Sequence, residues 1–90
     1  MTPTFHFDIV TLNGKEFSGE VQSLIVPGER GLFGVLANHA AMISLCAAGK
    51  LKIRDSSGNE KFFSTGPGYF EVRKNQAVLL TQSAVPAATN

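Results

Sequence analysis

The sequence predicts an all-β domain, a sandwich or barrel of about eight to ten short strands. Three observations carry this. Apolar residues recur with a period of two along most of the chain. Turn-forming residues divide these runs at spacings of roughly ten residues. The ninety residues suffice for one small domain, and a hydrophobic share of 43% against 17% charged is that of a folded chain.

Phe5, Phe7 and Ile9 alternate with Thr4, His6 and Asp8, which predicts a first strand with one buried face. Asn13-Gly14 follows as a hairpin signal, because both residues tolerate positive φ. In the next run Val21, Ser23 and Ile25 alternate with Gln22, Leu24 and Val26, so apolar groups fall on both faces. Pro27-Gly28 is expected to turn the chain. Gly31 and Gly34 then bound a tip that carries Leu32 and Phe33. Large apolar groups at a loop tip predict a contact with a partner.

Residues 36–47 admit two readings. Leu36, His39, Ala40, Ile43 and Ala47 fit a helical period. As a strand, Ala40, Met42, Ser44 and Cys46 fall on one side, with Ala41, Ile43 and Leu45 on the other. The short length and flanking glycines favour the strand. Beyond the turn at Ala48-Gly49, Leu51 and Ile53 alternate with Lys52 and Arg54. Ser57-Gly58-Asn59 turns the chain again. Phe62 and Phe63 are adjacent, so one is core and the other lies on an outer face. Gly66-Pro67-Gly68 marks a turn or bend. Phe70 and Val72 alternate with Tyr69, Glu71 and Arg73, and Lys74-Asn75 is a further turn. Val78 and Leu80 alternate with Ala77 and Leu79, apolar on both sides. The expected domain is 1–85, with 86–90 a fraying, disordered tail of small residues.

Composition argues against most chemistry. The net charge is +1 with no basic run, which excludes a large phosphate-binding footprint. The nearest basic cluster is Lys50, Lys52, Arg54 and Lys61 with Phe62 and Phe63, and Asp55 and Glu60 partly neutralise it. Cys46 is the single cysteine, so no internal disulfide forms and no zinc spacing exists. It reads as a small buried hydrophobe in a reducing compartment. Met1 to Asp8 shows neither a basic start nor a long apolar run, and no stretch is long enough to span a bilayer. His39 has no carboxylate or second histidine at ligand spacing. Ser18 and Ser44 lack a nucleophile-elbow context. Gly28-Glu29-Arg30-Gly31 lacks the phosphate-loop pattern. The sequence therefore predicts no catalytic, cofactor or metal site.

Several ordered pieces point to one family. They are Phe5-His6-Phe7-Asp8-Ile9-Val10-Thr11, Phe17-Ser18-Gly19-Glu20-Val21, Val26-Pro27-Gly28 through Gly34-Val35-Leu36, and Asn38-His39-Ala40. Gly49-Lys50-Leu51-Lys52-Ile53-Arg54, Gly66-Pro67-Gly68-Tyr69-Phe70-Glu71-Val72 and Val78-Leu79-Leu80 complete the set. Over residues 4–85 the chain resembles the N-terminal β-sandwich domain of the epsilon subunit of F-type ATP synthase. The resemblance implies a flattened sandwich of about ten short antiparallel strands. It implies a non-catalytic subunit of the central rotor stalk, which couples proton-driven rotation to ATP synthesis. It also implies two partners, the gamma subunit and the c-ring, with no nucleic acid, no membrane insertion, and one copy within a hetero-oligomeric complex.

Carried over by position, Glu29, Arg30, Gly31, Leu32 and Phe33 resemble the loop that faces the c-ring. Thr11, Asn38, His39, Met42 and Ser44 match positions near gamma or the gamma–ring junction. The implied location is peripheral, on the cytoplasmic face of the bacterial inner membrane.

Three departures stand out. Leu32 occupies a place where the family often has an acidic residue. Ala37-Asn38 and Ala41 replace prolines or a Pro-Gly pair around the histidine, which makes that turn less rigid. The sequence ends at Asn90, where the family usually continues into a helical hairpin. Two readings stay open, a naturally short form, which the absence of a tag favours, and an excised domain; for the chain as given the expectation is no hairpin-mediated inhibition or ATP sensing. The competing reading is a stand-alone small β-barrel that binds nucleic acid or a small ligand, for which interleaved basic and aromatic residues on one face are needed.

Overall fold

The computed structural model describes residues 2–88. Nine strands and no helix occur among them: β1 (Phe5–Thr11), β2 (Gly14–Gly28), β3 (Gly31–Leu36), β4 (Met42–Cys46), β5 (Gly49–Asp55), β6 (Glu60–Thr65), β7 (Gly68–Arg73), β8 (Gln76–Thr81) and β9 (Ala84–Ala87). Alternation set these elements, and the structure follows it. Phe5, Phe7 and Ile9 are buried, as are Leu51 and Ile53, Phe70 and Val72, and Leu79.

The strands hydrogen-bond in the order β1-β8-β7-β4-β2-β5-β6-β9, with β3 on β2 and a further β1–β2 pairing. β2 serves two layers. Its first half pairs with β1 and its second half with β3 and β5. A register shift between Val21 and Ser23 marks the bend. The sequence suggested shorter strands here. A single 15-residue strand forms instead, because Leu24 and Val26 stay buried beyond the bend. The remaining pairings are antiparallel except β1 with β8, which is parallel. Alternation is blind to strand direction, so the all-antiparallel expectation is corrected at this one pair.

Aromatic rings lock the layers. Phe33, Phe70, Phe7, Phe17 and Phe63 form a chain with successive centroids 5.7, 6.3, 6.0 and 6.1 Å apart. Each contact is tilted or edge-to-face, the favourable arrangement for ring quadrupoles. Phe63 is the buried member of the Phe62-Phe63 pair, and Phe62 lies half-buried on the outside.

Two expected turns shift by a residue or two. Pro27-Gly28 does not turn. Both lie in β2, and the chain reverses at Glu29-Arg30 between the paired Gly28 and Gly31, with Gly31 at φ +124°. Pro27 is tolerated because it faces Leu32, one step past the turn-closing pair, where a two-residue hairpin makes no inter-strand bond. The first hairpin likewise turns on Leu12-Asn13, and Gly14 takes the positive φ of +107°. Lys74-Asn75 turns as expected, with both residues at positive φ.

Residues 42–46 are a strand, and Leu36 ends β3. The final strand, Ala84–Ala87, pairs with β6, so Pro86 and Ala87 of the expected tail lie in the sheet. Buried Ala84 and the Phe62–Ala87 pairing hold this strand. Thr89 and Asn90 lie outside the described residues.

Candidate docking face

Strand parity decides what the β4-β7-β8-β1 sheet shows to solvent. Cys46, Phe70, Val72, Ala77, Leu79, Phe7 and Ile9 point inward. The alternate positions point outward and stand in rows fixed by register. Leu45 pairs with Tyr69, Tyr69 with Leu80, and Leu80 with Val10. These four make an apolar row across four strands. Leu45 is 61% exposed and Tyr69 41%. Beside Leu45 stands Ile43, 70% exposed. At the far end a shallow apolar groove of about 790 Å³ runs between Val10–Leu12 and Pro67–Tyr69. The Leu45 end meets the Glu29-Arg30 hairpin, because Glu29 N–H donates to Leu45 O at 3.1 Å. Val10 and Leu80 are half-buried, and a contiguous apolar row with its Leu45 end in water fits a protein contact.

The same face turns polar two rows away. His6 sits between Asp8 and Glu20, with Nε2 3.0 Å from Asp8 and Nδ1 3.2 Å from Glu20. Ser18 Oγ donates to Asp8 at 2.6 Å, and Lys15 lies 3.6 Å away. Partial burial alone pushes the Asp8 carboxyl up, but the hydrogen bonds from Ser18 and His6 and the charges of His6 and Lys15 outweigh it and hold it below the usual carboxylate range.

The sequence-selected residues fall into three places. Glu29, Arg30, Gly31 and Leu32 are exposed or half-exposed at the hairpin, and Leu32 is 71% exposed. Phe33 is different. It packs into the core against Phe70. Both residues lie in β3 and neither is at a loop tip: Leu32 is exposed and Phe33 is core, since adjacent strand residues face opposite ways. Met42 and Ser44 share the inward parity of Cys46, and Met42 packs against the core. Thr11 stands at the groove, bonded through Oγ1 to Glu16 at 3.1 Å. Asn38 and His39 lie at the β3–β4 turn. Asn38 is at φ +66°, and its N–H donates to Asn75 Oδ1 at 2.6 Å while Asn75 Nδ2 donates to Asn38 Oδ1 at 3.1 Å. His39 Nδ1 lies 2.7 Å from Ala40 O.

Sequence reasoning missed Ile43, Leu45, Tyr69, Leu80 and Val10. β4 is apolar at both parities, so sequence could not say which face is outward. The signal was the unspent apolar parity of β8, where Val78 and Leu80 back an already buried Ala77 and Leu79.

Lys50, Lys52 and Arg54 do share the outer face of β5 beside Phe62, with Lys50 Nζ 5.7 Å from the Phe62 ring, but carboxylates neutralise most of the charge. Glu60 pairs with Lys52 at 2.9 Å and Arg54 at 2.7 Å, and Asp55 pairs with Lys61 at 3.7 Å. Phe63 is buried. The Lys52 hydrogen bond chiefly, with the charges of Lys52 and Arg54, holds the Glu60 carboxyl below its ordinary range. Among the described residues no group of His, Cys, Asp and Glu could hold a metal, and no helix is long and apolar enough to cross a membrane. Cys46 is buried, and burial first, then the Glu29 charge, pushes its thiol up, away from reactive thiolate.

Residues 4–87 match the family model described as the ATP synthase, Delta/Epsilon chain, beta-sandwich domain. The ATP synthase epsilon chain of Campylobacter curvus is 41% identical over 85 residues, covering 94% of this chain and 66% of that one. The ATP synthase epsilon chain of Chlorobaculum tepidum is 44% identical over 78 residues, covering 87% of this chain and 89% of the other. The chain thus spans just under two thirds of the first relative and most of the second. A chain from the Euglena gracilis mitochondrial ATP synthase, OSCP/F1/c-ring in rotational state 1, superposes with a TM-score of 0.87 at 20% identity, over 96% of this chain and 56% of that one. A chain from the central stalk/c-ring of Tetrahymena thermophila mitochondrial ATP synthase gives 0.73 at 17% identity, over 88% and 63%. At these identities the two structures show a common fold.

Proposed function

This chain belongs to the β-sandwich family of ATP synthase delta and epsilon chains, and we propose that it acts as the epsilon subunit of the central stalk, a rotor part that does no chemistry. The outer apolar row of Val10, Leu80, Tyr69 and Leu45 lies against the gamma subunit in this reading. The Glu29-Arg30 hairpin and Leu32 reach the polar loops of the c-ring. Thr11 borders the gamma contact at the groove, Met42 and Ser44 back it from the inward side of β4, and Asn38 and His39 stand at the β3–β4 turn across the polar rows, nearer a gamma–ring junction. The working location is peripheral, on the cytoplasmic face of the bacterial inner membrane.

The observation that carries the reading is the continuity of the apolar row with the hairpin, through the Glu29 N–H to Leu45 O bond. One rigid body then holds both contacts in fixed relation. A rotor coupling needs that rigidity, and an interior packed through a chain of five rings in tilted and edge-to-face contact supplies it. The neutralised basic cluster speaks against the alternative of a nucleic-acid-binding barrel.

The test is co-elution of the purified chain with the gamma subunit of the same source, with calorimetry for affinity. Stoichiometric binding that is lost in Leu45→Asp supports the assignment. Unchanged binding in that variant removes the face from the interface.

A further inference from the structure

We propose that the free chain pairs with a second copy of itself through β3, forming an antiparallel two-fold contact centred on Gly34. β3 is bonded on one side only, to β2. Its hairpin closes at Gly28–Gly31, so the bonded pairs are Val26–Phe33 and Leu24–Val35. The N–H and C=O groups of Leu32, Gly34 and Leu36 therefore point away from β2. Among the described residues no other strand bonds them, and the single acceptor used is Leu36 O, by His39 N–H at 3.2 Å.

Other free edges are partly managed, Ile43 of β4 excepted. β9 contains Pro86, and the end of β4 is closed by the Gly28–Cys46 pair and by Glu29 on Leu45 O. β3 has no charge, no proline and no bulge. Leu32 and Leu36 lie on its outer face, 71% and 65% exposed.

The pattern is self-complementary. Two β3 strands run antiparallel about Gly34 would bond Gly34 to Gly34 and Leu32 to Leu36 at both ends. Each outward leucine then meets its partner's leucine, the kind of cross-strand apolar pair that stabilises sheets. The outer face at the centre is open, since neither glycine adds a side chain. One short strand buries far less than the ~1,200 Å² of a stable interface, so the dimer is weak and concentration-dependent. If the hairpin serves the ring as proposed above, Leu32 cannot be in both contacts, and self-pairing shields the edge only until assembly.

The experiment uses the full chain alone, by sedimentation equilibrium and amide hydrogen exchange over a concentration series. Expected is a monomer–dimer equilibrium in which protection of Leu32, Gly34 and Leu36 rises with concentration. Gly34→Lys should abolish both effects, because it sets two ammonium groups face to face. A Cβ at Gly34 meets only ordinary contacts, the nearest 3.6 Å to Ile25. As an independent check on register, Leu32→Lys/Leu36→Lys and Leu32→Glu/Leu36→Glu should each be monomeric and should associate when mixed. A chain that stays monomeric at millimolar concentration overturns the proposal. So does a dimer that survives Gly34→Lys with the three amides unprotected. None of these outcomes involves gamma or the ring.

Discussion

Phe33 and Phe70 meet edge to face across the two layers, with centroids 5.7 Å apart and planes inclined at 67°. The contact ties the hairpin strand β3 to the core. Leu32, its neighbour, takes no part. Phe33→Ala should therefore cost about 2–4 kcal/mol of stability, while Leu32→Ala should stay within about 0.5 kcal/mol. Thermal and denaturant melts of the two single variants separate them. Equal losses would mean that the hairpin packs as a unit.

Leu45 carries the docking prediction. Leu45→Asp should weaken gamma binding at least about tenfold, about 1.4 kcal/mol, and leave the melting curve nearly unmoved because the side chain is already in water. Calorimetric titration with parallel melts reads both.

Asn38 and Asn75 exchange two hydrogen bonds between turns 37 positions apart. Each alanine variant should cost about 1–2 kcal/mol, and the double variant less than the sum, with a coupling of about 0.5–1.5 kcal/mol. Additive losses would show that the amide pair is not a joint interaction. Asn38 adopts positive φ, so Asn38→Gly provides the backbone control.

Gly68 has no room for a side chain. A Cβ there would overlap Leu80 O and crowd Thr81. Gly68→Ala should cost about 2–4 kcal/mol and disturb Tyr69 and Leu80 together. Amide shifts across β7 and β8 should move in that variant and not in Gly34→Ala.

The Asp8 network predicts a pH dependence with a definite sign. The folded carboxyl titrates below its ordinary range. Its ionised form therefore stabilises the fold above the unfolded value, near pH 4, and that contribution is lost as pH falls through the lower folded value. Ser18→Ala removes the 2.6 Å donor. It should raise the Asp8 titration and lower stability at pH 7, and the deficit should shrink toward pH 2. A deficit that is constant with pH would assign Ser18 a role unrelated to the Asp8 charge. Carbon-detected titration of the carboxyl reports the shift directly.

Much of the fold was legible because alternation is a local signal. β1, β5 and β7 place their apolar residues on one parity, Val10 and Tyr69 apart, and burial follows it. The failures are non-local. Nothing within Phe5–Thr11 says that its neighbour Gln76–Thr81 runs parallel. Nothing in Gly14–Gly28 says that one strand bends through two layers. The site was half legible for the same reason. Glu29 to Leu32 are exposed as the loop chemistry required, but Met42 and Ser44 turn inward while Ile43 and Leu45 turn out. A strand that is apolar at both parities leaves its orientation to the neighbours it finds.

The passage of β2 from one layer to the other has a mechanical side. Layers that met only through side chains could slide past one another. Here a continuous backbone, bonded to β1 at one end and to β3 and β5 at the other, crosses the gap. Shear between the layers must then break ladder hydrogen bonds on both sides. Under a twisting load the body resists as a girder with a web, not as two stacked plates.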